Sequence, residues 1–402
     1  MPMAKTPAKS LSNFIRLAIC VAAMWFVLRG VKVNDRVVLL GGVQELTGTV
    51  TDLGDRVSIR GLDGSPRIVA LDELAVDEQG KPRIEYGLRT AWQNSRGGYL
   101  LLAVLIYLPT ILLQGIRLQW LLRAQTIGLR YWECVKLSVA GNFLNFATPL
   151  GSNAGDVFKA VAVTKHTDRK TEAVATIFLD RVVGLGTLLL CVGAITIFCS
   201  AEGPLEELRP WVLTVAGMGV VVVMAYLSPF FRPAFRATGN AGLLVVPGAW
   251  LASAATSSWF HPIIRIDRAA RELARRRAIV FGAVFVTVLL QTMAMTAYFC
   301  IAVALQLDAH LGNMLEYYAY FYTGTVVQAL PGPPQGLGTV ELAYRYFFAS
   351  FGSVSQIVCM AFMIRLMVLA CALPGLLVTL TGSYKPRQMH AEAVPSAIPD
   401  AH

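Results

Sequence analysis

The sequence has few charged residues for its length. Of its 402 residues, 15% are charged and 55% are hydrophobic, and the mean hydropathy is +0.56. A soluble domain carries about a quarter charged residues, so this balance excludes an ordinary soluble protein and favours one solvated by lipid. Several apolar runs reach the roughly 20 residues that a helix needs to cross a bilayer. The clearest are residues 98–116, 173–199, 210–228, 278–305 and 355–381.

The sequence also lacks the patterns of a metal site, a disulfide framework or a nucleotide site. The five histidines are scattered, and the seven cysteines show no Cys-x-x-Cys spacing. We therefore predict no metal and no cofactor. The glycine-rich stretch at 332–338 lacks the Lys-Ser/Thr pair of a phosphate-binding loop, so the sequence gives no support for ATP-driven chemistry.

The net charge of +10 reflects basic residues that gather in loops. No basic stretch is interleaved with aromatic residues, so we predict no nucleic-acid partner. Loops rich in Lys and Arg are typical of the cytoplasmic face of a membrane protein. The first of these loops is expected to begin at Arg117, directly after the run 98–116, and to continue through Arg123 and Arg130. This count predicts a multi-pass protein of the plasma (inner) membrane with both termini inside.

Composition divides the chain into four regions. Residues 1–30 join a basic head to one apolar stretch, which predicts an N-terminal anchor helix. Residues 31–95 alternate β-branched and polar residues between glycine-containing turns, which predicts a small β-rich module outside the cell, with a partly open barrel as one form. Residues 96–384 form the membrane domain, and residues 385–402 form a polar tail. The predicted fold is an all-α polytopic membrane protein with about six full spans and two re-entrant hairpins.

The two hairpins are predicted from apolar stretches that break in the middle. The stretches are "GNFLNFATPLGSNAGDVFKA" at 141–160 and "GTVVQALPGPPQGLGTVELA" at 324–343. Irregular backbone at membrane depth must be buried in protein or line a wet cavity. The segments 131–199 and 313–381 would then form an inverted repeat with a substrate site between its halves. The residues expected to break the helices are Pro149, Gly151, Gly155, Pro331, Gly336 and Gly338.

An acid and then an arginine follow each break. Asp156 and Arg181 are 25 residues apart, and Glu341 and Arg365 are 24 apart. A charge at bilayer depth costs at least about 2.5 kcal/mol, so each needs a partner or water. We expect Asp156 to pair with Arg181 and Glu341 with Arg365, or the two units to exchange partners. The pairs either fasten each hairpin to the next helix or face a hydrated cavity that receives a polar headgroup.

Neutral polar residues accompany the breaks. Asn142, Asn145 and Gln328 would either bind a substrate or satisfy the broken backbone. The aromatic run "EYYAYFY" at 316–322 is typical of an interfacial belt, where rings lie at the level of the lipid headgroups.

These residues resemble a known family. "NFATPLGSNAGDVFKA … ATIFLDRVVGL" and "ALPGPPQGLGTVELA … MIRLMVLA" are similar to the flippase-like transmembrane region of lysylphosphatidylglycerol synthases and their stand-alone relatives, over residues 98–381. The resemblance implies movement of phospholipids or isoprenoid-linked lipids between leaflets. The synthases continue into a soluble aminoacyl-transfer domain, which this sequence is not expected to include, and the β-rich module is not part of the family pattern. The resemblance marks Pro149, Gly155, Asp156, Arg181, Pro331, Gly336, Gly338, Glu341 and Arg365.

The sequence therefore predicts a membrane transporter that is not an enzyme and that moves a polar lipid, phosphate-containing or isoprenoid-linked, through a cavity between the two re-entrant hairpins. Transport would be passive or coupled to an ion. Two alternatives stay open: a lipid-linked transferase that acts within the membrane, and a non-transporting scaffold for envelope assembly. The expected partners are membrane lipids. A lipid-modifying enzyme or an envelope-assembly protein would dock on the β-rich module.

Overall fold

The computed structural model describes residues 33–38, 45–52, 56–61, 66–70, 73–74, 84–148, 153–198, 204–227, 276–329 and 334–381. Four of its helices are long and apolar enough to cross a membrane, and they lie at Gly97–Ala124, Lys170–Phe198, Ala278–Ala304 and Val354–Thr381. The chain is thus a largely helical, multi-pass membrane protein. The finer count of about six spans stays a prediction. The run 210–228 forms a helix that is not among these four, and the N-terminal anchor and the polar tail lie outside the described residues.

A five-stranded sheet occupies the predicted β-rich module. Every strand pairing is antiparallel, and the order across the sheet is β4-β3-β2-β1-β5. Alternate residues share one face of a sheet, and Val37, Val50, Ile59 and Val69 meet Leu74 in a small apolar core. The strands are β1 (Asp35–Val38), β2 (Glu45–Asp52), β3 (Arg56–Gly61), β4 (Pro66–Ala70) and β5 (Ile84–Glu85).

One buried carboxylate fastens this sheet to the helix that follows it, α1 (Leu88–Gln93). Asp35 accepts hydrogen bonds from the Gly87 amide at 2.6 Å and the Thr90 hydroxyl at 2.8 Å, as well as from the backbone of β2. The Ser353 hydroxyl donates to the Tyr86 carbonyl at 2.8 Å, close to the start of a membrane-length helix. The module is therefore joined to the membrane domain.

Eight of the ten α-helices that follow in the described part of the chain repeat one order: a long helix, a hairpin of two shorter helices, and another long helix. The first unit runs from α2 to α5 and the second from α7 to α10. In chain order the helices are α2 (Gly97–Ala124), α3 (Tyr131–Ala147), α4 (Ala154–Thr164), α5 (Lys170–Phe198), α6 (Pro204–Leu227), α7 (Arg277–Ala304), α8 (Met314–Ala329), α9 (Thr339–Phe347), α10 (Val354–Ala372) and α11 (Pro374–Thr381).

The first helices of the two units, α2 and α7, pack antiparallel. The Arg96 amide, at the start of α2, donates to the Ala304 carbonyl at the end of α7 at 2.9 Å. Toward the opposite end, the Trp120 ring packs on Gly282, whose missing side chain allows this close approach. Residues at this end of both helices also share an apolar cluster that includes Leu121 and Ala283.

Each hairpin folds back to the end of the long helix that precedes it. In the first unit, Val163 near the end of α4 clusters with Cys134 near the start of α3 and with Leu122 of α2. In the second unit, the Tyr317 ring near the start of α8 lies 5.0 Å from the Phe348 ring that ends α9. Because α2 and α7 are antiparallel, the two hairpins begin at opposite ends of this helix pair.

Two sequence expectations about side chains prove wrong. Arg117 does not begin a loop, because α2 continues to Ala124 and Arg117 is ion-paired inside the protein. The aromatic run does not form an interfacial belt, because Tyr317, Tyr320 and Phe321 are buried. Helices α5, α7 and α9 cover α8, and its rings pack edge-on or tilted against those of Phe348 and Phe351. Such contacts replace lipid with a rigid aromatic core.

Candidate functional site

A buried ion pair closes the second hairpin. The Glu341 carboxylate is fully buried and receives Arg365 through both oxygens, with Nε–Oε1 at 2.5 Å and Nη2–Oε2 at 3.1 Å. This two-pronged geometry is the strongest form of an arginine–carboxylate contact. Glu341 also accepts the Gly338 amide at 2.8 Å, which caps the start of α9. One side chain thus neutralises the arginine and satisfies an amide freed by the break.

Arg365 also binds the backbone of the break itself. Its guanidinium donates to the carbonyls of Gln335 at 3.0 Å and Gly336 at 3.2 Å. Three residues here have positive φ: Gln335 (54°), Gly336 (62°) and Gly338 (86°). Glycine adopts this conformation easily and glutamine does not. The arginine therefore holds an irregular turn whose carbonyls have no helical partner.

The first hairpin uses a looser version of the same arrangement. Arg181 Nη1 lies 2.6 Å from Asp156 Oδ2, and Lys159 Nζ approaches the other carboxylate oxygen at 3.7 Å. The Asn145 side chain accepts the Gly155 amide at 2.7 Å across the break. Gly155 packs directly on the Gly141 carbonyl, so any side chain there would clash. The helices α3 and α4 are thus held together at their broken ends.

A third ion pair joins three long helices and was not predicted. Arg117 of α2 meets Asp180 of α5, with Nε–Oδ1 at 2.7 Å and Nη2–Oδ2 at 3.0 Å. Arg117 also donates to the Thr287 hydroxyl of α7 at 3.2 Å. Asp180 directly precedes Arg181 in the chain, so neighbouring residues of α5 serve two different ion pairs. No sequence repeat marks this ion pair, because both of its members lie in the first unit and Ile364, which precedes Arg365 as Asp180 precedes Arg181, is not an acid.

One polar cavity receives residues from both hairpins. Its volume is about 210 Å³, and we call it the central cavity. Five amide side chains, three tyrosines and Arg365 line it together with apolar residues, and among the described residues no carboxylate does. The lining residues are Tyr107, Gln114, Asn142, Asn145, Phe146, Tyr298, Gln328, Gln335, Val340, Tyr344, Ala361, Ile364, Arg365 and Val368.

The central cavity gathers four of the seven polar residues that the sequence predicted for the site: Asn142, Asn145, Gln328 and Arg365. The other three, Asp156, Arg181 and Glu341, do not line it. Both acid–arginine pairs form within their own unit rather than by exchange. The break residues Gly155, Gly336 and Gly338 lie at the ends of helices, and Pro149, Gly151 and Pro331 lie outside the described residues. The transport roles of all these residues stay predictions.

Sequence reasoning missed five of the nine polar residues that line the cavity. Gln114 and Tyr107 lie on α2, and Tyr298 lies on α7, both far from either break in sequence. A polar residue in the middle of an apolar run is a usable signal, since it needs a partner inside the membrane. Gln114 carries that signal, and it accepts a hydrogen bond from Asn142 at 2.9 Å. Tyrosine carries a weaker signal because it is common at membrane surfaces.

A bundle of membrane-length helices around a small polar cavity defines a multi-pass membrane protein with an internal polar site. The chain belongs to the family described as the lysylphosphatidylglycerol synthase TM region, which matches residues 87–375 and thus more than half of the chain. This match confirms the family predicted from the hairpin motifs, and it makes the protein a membrane-embedded member of a lipid-related family. The match begins after the last strand of the β-rich module. A search of curated proteins found no match.

Proposed function

We propose that this protein moves a polar lipid between the two leaflets of the plasma (inner) membrane. The headgroup would enter the central cavity while the acyl or isoprenoid chains stay in lipid. The observation that carries the proposal is the cavity itself, because both broken hairpins contribute polar side chains to one small space inside an otherwise apolar bundle. Polar groups buried among apolar helices are costly unless they serve a ligand or each other.

The helix arrangement supports a transport mechanism. We infer that the units α2–α5 and α7–α10 form an inverted repeat with re-entrant hairpins, because α2 and α7 are antiparallel and each hairpin returns to its starting end. Inverted repeats place a substrate near the centre of the membrane and open toward each side in turn. In this arrangement residues 31–95 lie outside the cell and both termini lie inside, as the charge pattern predicts. Of the described residues, none forms a nucleotide-binding loop, so exchange would be passive or ion-coupled.

The test is leaflet exchange of fluorescent lipids in proteoliposomes. Val368→Phe would place a ring in the central cavity, which Val368 lines, and would change neither residue of the two acid–arginine pairs. Leu366→Phe is the matched control, because Leu366 lies on the same helix and is exposed on the outside of the bundle. We expect Val368→Phe to slow exchange at least tenfold while its melting temperature stays near that of Leu366→Phe.

Other outcomes would favour the alternatives. Unchanged exchange by a folded Val368→Phe protein would place the lipid path elsewhere and contradict the proposal. Mass spectrometry of the same vesicles would reveal a transferase as a new covalent lipid product. Wild-type vesicles that exchange no tested lipid faster than empty ones would favour a scaffold.

A further inference from the structure

The hydrogen-bonding groups of the central cavity indicate what kind of headgroup it accepts. Two pairs of amide side chains line the cavity. In each pair, the NH₂ group of one amide donates to the oxygen of the other. Asn142 donates to Gln114 at 2.9 Å, and Gln328 donates to Gln335 at 2.7 Å. An amide offers one oxygen and one NH₂ group, so each pair retains one acceptor and one donor. Asn145 uses its oxygen for the Gly155 amide and retains its donor.

Three tyrosine side chains add further open hydrogen-bond donors and acceptors. Tyr107, Tyr298 and Tyr344 line the cavity, and none of their hydroxyls bonds to another described residue. A phenolic hydroxyl both donates and accepts. In contrast, each nitrogen of the Arg365 guanidinium already donates to Glu341 or to the break carbonyls. Four of the five guanidinium N–H groups are used in this way. Apart from the one remaining N–H of Arg365, the open groups of the cavity are neutral, and donors and acceptors are mixed.

We propose that the central cavity binds an uncharged, hydroxyl-rich headgroup, either a sugar or the terminal glycerol of a phospholipid. This inference rests on the proposed function, since it assigns the headgroup that the transporter carries. A hydroxyl donates and accepts, so it can satisfy both ends of each amide pair. A phosphate accepts only and would leave the oxygens of Asn142 and Gln328 unpaired, which is costly in a buried site.

A cationic headgroup fits least well. An ammonium group donates only, and no described carboxylate lines the cavity to balance its charge. The volume of about 210 Å³ corresponds to roughly seven waters at about 30 Å³ each, which suits a glycerol or a single sugar ring.

The experiment measures binding and exchange with four lipids that share their acyl chains: glucosyl diacylglycerol, phosphatidylglycerol, phosphatidylcholine and lysylphosphatidylglycerol. Binding to the purified full chain is followed by native mass spectrometry, and exchange is followed in proteoliposomes. We expect glucosyl diacylglycerol, phosphatidylglycerol or both to bind at least tenfold more tightly than the choline and lysyl lipids. Which of the two binds distinguishes a sugar from a glycerol.

Two conservative variants locate the effect. Tyr298→Phe removes one cavity hydroxyl and should weaken the preferred lipid roughly three- to tenfold. Tyr318→Phe is its matched control, because the Tyr318 hydroxyl bonds Thr296 at 2.6 Å and does not line the cavity. This control should leave lipid binding unchanged.

The outcomes separate the headgroup inference from the transport proposal. Binding that is equal for all four lipids, or strongest for the choline or lysyl lipid, overturns the headgroup inference even if exchange is fast. Equal effects of Tyr298→Phe and Tyr318→Phe also overturn it. Selective binding of a hydroxyl-rich lipid without its exchange overturns transport and leaves the headgroup inference standing.

Discussion

The two hairpins carry the same acid and arginine in different surroundings. The Glu341 side chain is 0% exposed and its partner Arg365 is 16% exposed, whereas Asp156 and Arg181 are 25% and 28% exposed. Arg365 also holds two backbone carbonyls of the break, while Asp156 has Lys159 as a second, more distant cation. The difference teaches that one motif can form a buried ion pair in one unit and a partly exposed one in the other. The ion pair of the second hairpin is the less exposed of the two.

The largest expected effect is on the buried pair. Glu341→Gln keeps the shape of the side chain but leaves Arg365, whose side chain is 16% exposed, without a counter-charge. Removing one partner of a largely buried ion pair typically costs about 3–5 kcal/mol. We expect a loss of this size in the free energy of unfolding, measured by denaturant titration in detergent. The double variant Glu341→Gln with Arg365→Gln should lose less than the two single changes added together. A loss below about 1 kcal/mol would mean that water reaches this pair.

A smaller effect on stability is expected where the backbone of α4 packs on that of α3, at Gly155 and Gly141. Gly155→Ala would push a methyl group into the Gly141 carbonyl, and overpacking of this kind costs about 1–3 kcal/mol. Gly217→Ala is the control, because open space surrounds Gly217 in α6 and alanine favours helix by up to about 1 kcal/mol. Thermal melts of the two variants should therefore shift in opposite directions. Equal shifts would show that α3 and α4 separate readily at the break.

The smallest effect is expected at the partly exposed pair, Asp156 and Arg181. Asp156→Asn removes a contact that water partly screens, so the loss should be about 1 kcal/mol or less. Raising the salt concentration should weaken the wild-type contact and shrink this difference. The measurement is the same denaturant titration at low and high salt. A loss as large as that of Glu341→Gln would remove the distinction between the two hairpins.

The repeated motif made much of this arrangement predictable. Broken apolar runs predicted the two pairs of shorter helices, and an acid and an arginine at nearly equal offsets predicted both ion pairs as one of two possible pairings. That the hairpins are re-entrant stays a prediction. Contacts without a repeat were not predictable, since Arg117 and Asp180 are 63 residues apart and have no counterpart at matching positions. The burial of the aromatic run also depends on which helices cover α8. Composition and periodicity do not specify that.

Gln335 belongs both to the lining of the central cavity and to the break that Arg365 holds. Its side chain lines the central cavity, and its backbone carbonyl binds Arg365 while φ is 54°. A headgroup that hydrogen-bonds to the Gln335 side chain would therefore contact a residue whose backbone is bound by Arg365. Thermodynamic linkage makes such coupling reciprocal. If the intact ion pair raises the affinity for the headgroup by some factor, a bound headgroup favours formation of the ion pair by the same factor. Under the proposed function, a bound headgroup and an intact ion pair would therefore stabilise each other.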